Sequence, residues 1–125
     1  MIIKGSYMNV VDNTGAGMVQ CIQLLKKKQT SRLIIGDLGV VVVKGMDVDM
    51  EKLKVKKHDV VYGIIIRTKQ PVVRNSGIVI KNNLNGLILL NKKCEPLGSR
   101  IVGIIFEDVA KSRYLKTLVL SKHLI

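Results

Sequence analysis

The sequence predicts a mainly β domain closed into a small barrel. Short runs of Val, Ile and Leu, such as residues 60–66 and 86–90, are bounded by Gly, Asn and Asp turn signals. These runs carry apolar residues on both strand faces, so each face needs cover. Almost no helical periodicity intervenes between them, which favours a closed barrel over a parallel sheet.

Residues 7–11 read as a first strand. Asp12-Asn13-Thr14-Gly15-Ala16-Gly17 follows as a turn in which Asn and Gly tolerate positive φ. Residues 18–25 alternate loosely as a second strand, and Lys26-Lys27-Lys28-Gln29-Thr30-Ser31-Arg32 makes a polar, basic hairpin tip. Gly36-Asp37 opens a third strand over 38–43. Residues 45–54 are irregular and hold Asp47, Asp49 and Glu51, the acidic patch of the chain.

The fourth strand, 60–66, is the element around which the others arrange. It is β-branched and apolar apart from Tyr62 and Gly63, with Lys54, Lys56 and Lys57 leading in and Arg67 and Lys69 leading out. A rigid strand with cations at both mouths suits phosphate. Residues 72–81 form a projecting hairpin around Asn75-Ser76-Gly77, with Arg74 at its base. Residues 86–90 are a fifth strand, 92–100 a loop holding Pro96 and Gly98, and 101–105 are extended. Tyr114, Leu115, Leu118 and Val119 recur at the spacing of one helix face, predicting one or two short C-terminal helices.

A chain of 125 residues is one domain, spanning 1–125, and is long enough to bury a core without metals or crosslinks. No repeat or linker divides it. Composition is 47% hydrophobic and 3% aromatic, so the core is aliphatic. With 21 Lys plus Arg against 9 Asp plus Glu, the formal charge is +12. Such an excess repels itself unless something anionic compensates, and nucleic acid is the first candidate. A membrane partner would want a basic amphipathic helix or an apolar span of about 20 residues, and the longest apolar run is 60–66. The opening residues carry no secretion or import signal.

Catalytic chemistry finds little support. Gly15-Ala16-Gly17 lacks the third glycine of a dinucleotide fingerprint and precedes a strand. His58 and His123 have no neighbour suited to general base work and read as surface residues. Asp12, Asp37 and Asp59 stand at strand boundaries, where a carboxylate accepts backbone N–H bonds. Cys21 and Cys94 are isolated, so neither a zinc site nor a disulfide framework is indicated. No enzyme, metal, cofactor or small-molecule substrate is expected.

The basic residues cluster: Lys26, Lys27, Lys28 and Arg32 in one loop, Lys54, Lys56 and Lys57 in one turn, Arg67, Lys69 and Arg74 at one hairpin base, with Lys44 ending the third strand. Tyr7, Tyr62, Tyr114 and Phe106 are the aromatics, too few for a general single-strand platform. Phosphate contact and recognition of folded RNA are favoured. A free-standing oligonucleotide-binding barrel is the alternative.

The order of several distant blocks closely resembles the universal large-subunit ribosomal protein fourteen family in its bacterial and organellar form. The resemblance spans the chain. It rests on Asn9-Val10-Val11-Asp12-Asn13-Thr14-Gly15-Ala16 with Cys21-Ile22, on Gly36-Asp37, on Val55-Lys56-Lys57-His58-Asp59-Val60 through Arg67-Thr68-Lys69, and on Leu89-Leu90-Asn91 with Pro96-Leu97-Gly98-Ser99-Arg100-Ile101 and Gly103. It implies a five-stranded β-barrel with a projecting hairpin and short C-terminal helices, seated on large-subunit rRNA. It also implies large-subunit proteins three and nineteen as neighbours, and a face turned toward small-subunit rRNA in an intersubunit bridge. A ribosome-silencing factor docks on that face in related members, where Ser99, Arg100 and Lys116 match the docking motif. The Ile, Lys and Asn excess favours an organelle-made mitochondrial protein, with a bacterial or plastid ribosome as the competitor.

The chain departs from the family pattern in four places. Lys26-Lys27-Lys28 stands where a small tip is usual, 45–54 is longer and more acidic, and Gly17 replaces a frequent basic residue. His58 replaces the usual glycine of a Lys-Lys-Gly-Asp turn, which costs strain if φ there is positive.

Overall fold

The computed structural model describes residues 2–25, 34–46, 55–93, 95–107 and 123–125. Among them are nine strands. β1 (Tyr7–Val10), β2 (Ala16–Leu24), β3 (Leu38–Met46), β4 (Val60–Arg67) and β7 (Gly86–Leu90) form a closed barrel in the order β1-β2-β3-β4-β7. The barrel is therefore five-stranded, as expected. Every pairing is antiparallel except the β1–β7 seam, where Asn9 and Val10 lie beside Gly86 and Leu87 in parallel. The tip 26–32, the acidic stretch 47–54 and the helical expectation around 114–119 lie outside the described residues.

Two apolar clusters explain why β4 and β7 are apolar on both faces. Inside the barrel, Met8, Val19, Cys21, Val41, Val43, Ile65, Leu87 and Leu89 pack together. Alternate residues of the same strands face out, and Ile64, Ile66, Ile88 and Leu90 are covered by Ile101 and Ile105 of the C-terminal segment. Period-two alternation thus serves two cores rather than a core and solvent. Each fully buried Ile or Leu contributes about 1.5–3 kcal/mol. β2 carries register shifts near Met18 and Gln23, which let a nine-residue strand bend around the barrel.

The covering segment runs from Pro96 to the end of the described 95–107 stretch. It begins at an isolated bridge between Leu90 and Pro96, meets Asp12 at Ile101, and continues into β8 (Ile104–Ile105). β8 pairs in parallel with β9 (His123–Leu124), and this closing pair was not foreseen from the sequence. β5 (Val72–Val73) and β6 (Val79–Ile80) form the expected hairpin, a two-stranded sheet separate from the barrel. Its Val73, Ile78 and Val79 are exposed.

Candidate nucleic-acid interface

The cations of β4 emerge at its two ends. Lys56 and Lys57 sit exposed in the tight turn before it, where the Lys56 N–H donates to Asp59 Oδ2 at 2.8 Å and the Asp59 N–H to the Lys56 carbonyl at 3.2 Å. The same turn docks on β3: the His58 N–H donates to the Val43 carbonyl at 2.7 Å and the Val43 N–H to the Asp59 carbonyl at 2.9 Å. That pairing carries exposed Lys44, the residue after Val43, to the end of the barrel that holds Lys56 and Lys57. His58 is exposed and has a φ of 70°, so the strain expected of a side chain at this turn is present.

At the far end, eight residues or roughly 26 Å along β4, Arg67 and Lys69 differ in kind. Lys69 is exposed, with its N–H held by Asn85 Oδ1 at 2.9 Å. Arg67 is half-buried, and its Nη2 donates to the Val102 carbonyl at 2.9 Å. A Cβ on Gly86 would stand 2.8 Å from Arg67 Cγ, and one on Gly103, where φ is +89°, 2.5 Å from Nη1. Arg67 therefore lies across two glycines and ties the covering segment to β7. Burial lowers its pKa from the ordinary value, but a guanidinium stays protonated at physiological pH.

Arg74 is likewise engaged within the chain, its Nη2 donating to the Ile125 carbonyl and joining the hairpin to the end of β9. Lys26, Lys27, Lys28, Arg32, Lys54 and Lys116 lie outside the described residues. Sequence alone could not separate Lys69 from Arg67, because what distinguishes them is a carbonyl 35 positions away.

Ser99 and Arg100 are both exposed on a strap over residues 98–103. Its position is set by the turn after β1. Asn13 Oδ1 accepts the N–H of Ser99 at 2.8 Å and of Arg100 at 3.3 Å, and Asn13 Nδ2 donates to Ser99 Oγ at 2.8 Å. Asp12 fixes the turn itself: Oδ1 accepts the Thr14 N–H and hydroxyl at 3.2 and 2.6 Å, and Oδ2 reaches the Leu89 N–H of β7 at 3.0 Å. The strap approaches closely only because residue 98 is glycine, since a Cβ there would fall 2.7 Å from Asn13 Oδ1 and 3.0 Å from Asp12 Cβ. The Val102 N–H then donates to the Val11 carbonyl at 2.7 Å. Sequence reasoning had not given Asn13 this role; the signal was an Asn in one turn and a Gly in a loop 85 positions later.

The three strand-boundary carboxylates accept backbone N–H groups as expected, Asp37 taking that of Ile34 at 2.7 Å. No group of three or more His, Cys, Asp or Glu stands ready to hold a metal among the described residues. No described helix is long and apolar enough to cross a membrane.

Comparison with known proteins gives a consistent result. The family model for ribosomal protein L14p/L23e matches residues 1–125. A relative from Dictyostelium discoideum, the large ribosomal subunit protein uL14m, is 50% identical over 129 residues that cover 100% of both chains. A five-stranded barrel, a strap latched by the Asp12-Asn13 turn and a match along the whole length agree, and the chain belongs to the L14p/L23e family of ribosomal proteins.

Proposed function

We propose that this protein is a structural, non-catalytic constituent of the large subunit of a mitochondrial ribosome. The observation that carries the reading is the full-length, 50% identity to a protein named as large ribosomal subunit protein uL14m. The barrel is a stiff aliphatic frame, and its exposed cations bind large-subunit rRNA by displacing condensed counterions. Lys44, Lys56 and Lys57 form one contact patch and Lys69 a second. Lys26, Lys27, Lys28, Arg32, Lys54, Arg67 and Arg74 complete the set of rRNA-contacting cations. Large-subunit proteins three and nineteen flank the barrel.

The strap bearing Ser99 and Arg100, together with Lys116, faces small-subunit rRNA in an intersubunit bridge, and a ribosome-silencing factor docks on the same face. Its backbone anchoring by Asn13 supports this reading, because a preordered surface binds without the entropy cost of ordering.

Titration of the protein with large-subunit rRNA at several salt concentrations tests the reading. Log affinity falls linearly with log salt, by about 0.7–0.9 per phosphate contact, and the slope shrinks by about 1.5 in a Lys56→Ala/Lys57→Ala protein. A flat response would overturn it. Charge reversal at Arg100 weakens silencing-factor capture; unchanged capture removes that assignment.

A further inference from the structure

The outer face of β1 is covered at one end only. Met8 and Val10 point into the barrel, so Tyr7, Asn9 and Val11 line the outside. Val11 lies under the covering segment, whereas Tyr7 is 57% exposed. A depression of about 190 Å³ opens beside it, walled by Tyr7, Asn9, Met18, Leu84, Lys69 and Asn85. Met18 pairs with Asn9 across β1 and β2, and both Met18 and Leu84 are largely exposed. An apolar wall left bare on a barrel otherwise covered along β4 and β7 calls for an occupant.

We infer that this depression receives one unpaired base of the bound rRNA, stacked on the Tyr7 ring, with its phosphate at Lys69. The chemistry of the wall chooses the occupant. Tyr7 offers an exposed aromatic ring, Met18 and Leu84 apolar sides, and Lys69 a cation. Among the described residues the Asn9 side-chain amide has no hydrogen-bond partner, and it lines the depression with a donor and an acceptor suited to a base edge. An amide paired with a base edge and an aromatic under its face is the usual way proteins hold a splayed RNA base. The charge of +12 makes an anionic strand the complementary partner. The inference rests on the rRNA-binding reading and adds a base contact to what is otherwise phosphate recognition.

The test uses the full-length protein and an unstructured RNA octamer carrying 2-aminopurine, together with the same octamer made abasic at that position. The normal protein quenches the 2-aminopurine on binding and prefers the intact RNA to the abasic one. Tyr7→Phe keeps both properties. Tyr7→Ala binds the intact RNA about tenfold more weakly and no longer distinguishes it from the abasic strand. Tyr7→Leu, which keeps a strand-compatible side chain, behaves as Tyr7→Ala and removes misfolding as an explanation. Lys69→Ala lowers the salt slope by about 0.7 while keeping the base preference. If Tyr7→Ala and Tyr7→Leu bind and discriminate as the normal protein does, with a steep salt response, the base pocket is overturned and rRNA binding stands. If the normal protein binds large-subunit rRNA but not the octamer at low salt, the base pocket alone is overturned; if it binds neither, both fall. If the Tyr7 variants bind RNA normally but lose a protein neighbour from reconstituted large subunits, the patch is a protein interface and the inference is overturned.

Discussion

The Asn13 side chain holds the backbone of Ser99, 86 positions away, with Oδ1 accepting its N–H at 2.8 Å while Nδ2 donates to its hydroxyl at 2.8 Å. Two loops that are remote in sequence thereby become one surface. Asn13→Ala removes the one oxygen that accepts both N–H groups, and the donor with it, leaving the Ser99 and Arg100 amides to water. The protein loses about 1–2 kcal/mol. Hydrogen exchange at those two amides accelerates well beyond the global change, which thermal melting measures in parallel. Asn13→Asp restores protection, because a carboxylate accepts the same N–H groups and the serine hydroxyl can turn to donate.

Arg67 is a second tie on the same segment, lying over Gly86 and Gly103 and bonded to the Val102 carbonyl. Arg67→Ala frees the covering segment and exposes part of the Ile64–Ile88 face, costing about 1–2 kcal/mol. Arg67→Lys recovers only a fraction, since an ammonium cannot lie flat across two glycines. Chemical denaturation of the three proteins ranks them in that order if the tie is structural.

The His58 backbone, at φ 70°, is a place where the chain accepts strain. His58→Gly relieves it and, after the glycine's larger entropy loss on folding, stabilises the protein by about 0.5–1 kcal/mol. Melting temperature rises by about 2–4 °C. A fall would mean that the imidazole makes a contact worth more than the strain.

Cys21 is buried in the barrel core, and burial raises its thiol pKa, opposed in part by a backbone hydrogen bond at Gln23. A thiol with a raised folded pKa keeps its stabilising contribution below its ordinary value of 9.0 and loses it as pH climbs beyond. In a Cys94→Ser background, iodoacetamide therefore labels native protein slowly at pH 8 and denatured protein rapidly. The loss of stability above pH 9 shrinks in Cys21→Ala.

Much of this architecture was legible in the sequence because it depends on local pattern. The β-branched run before Arg67 and the run Gly86–Leu90 read as strands buried on both faces, and Asp12, Asp37 and Asp59 marked ends of the first, third and fourth strands. The observed β3 extends to Met46, beyond the expected 43, and β2 begins at Ala16, inside the expected turn; pairing of Ala16 with Met46 carries both outward. What stayed hidden is long-range. The parallel pairing of Ile104 with His123, the latch from Asn13 to Ser99 and the folding of Arg67 onto Val102 each join positions whose spacing carries no periodic signal. The exposure of Tyr7 was equally invisible, since a strand tyrosine packs inward or outward according to the register of its neighbours.

The central claim is membership of a large ribosomal particle, and sedimentation measures it directly. Mitochondrial lysate from cells producing a tagged copy of this chain is resolved on a sucrose gradient at moderate salt. The tag co-migrates with large-subunit rRNA and with assembled ribosomes, and leaves both only as salt is raised. Recovery of the protein solely in the light, rRNA-free fractions at moderate salt would contradict the account.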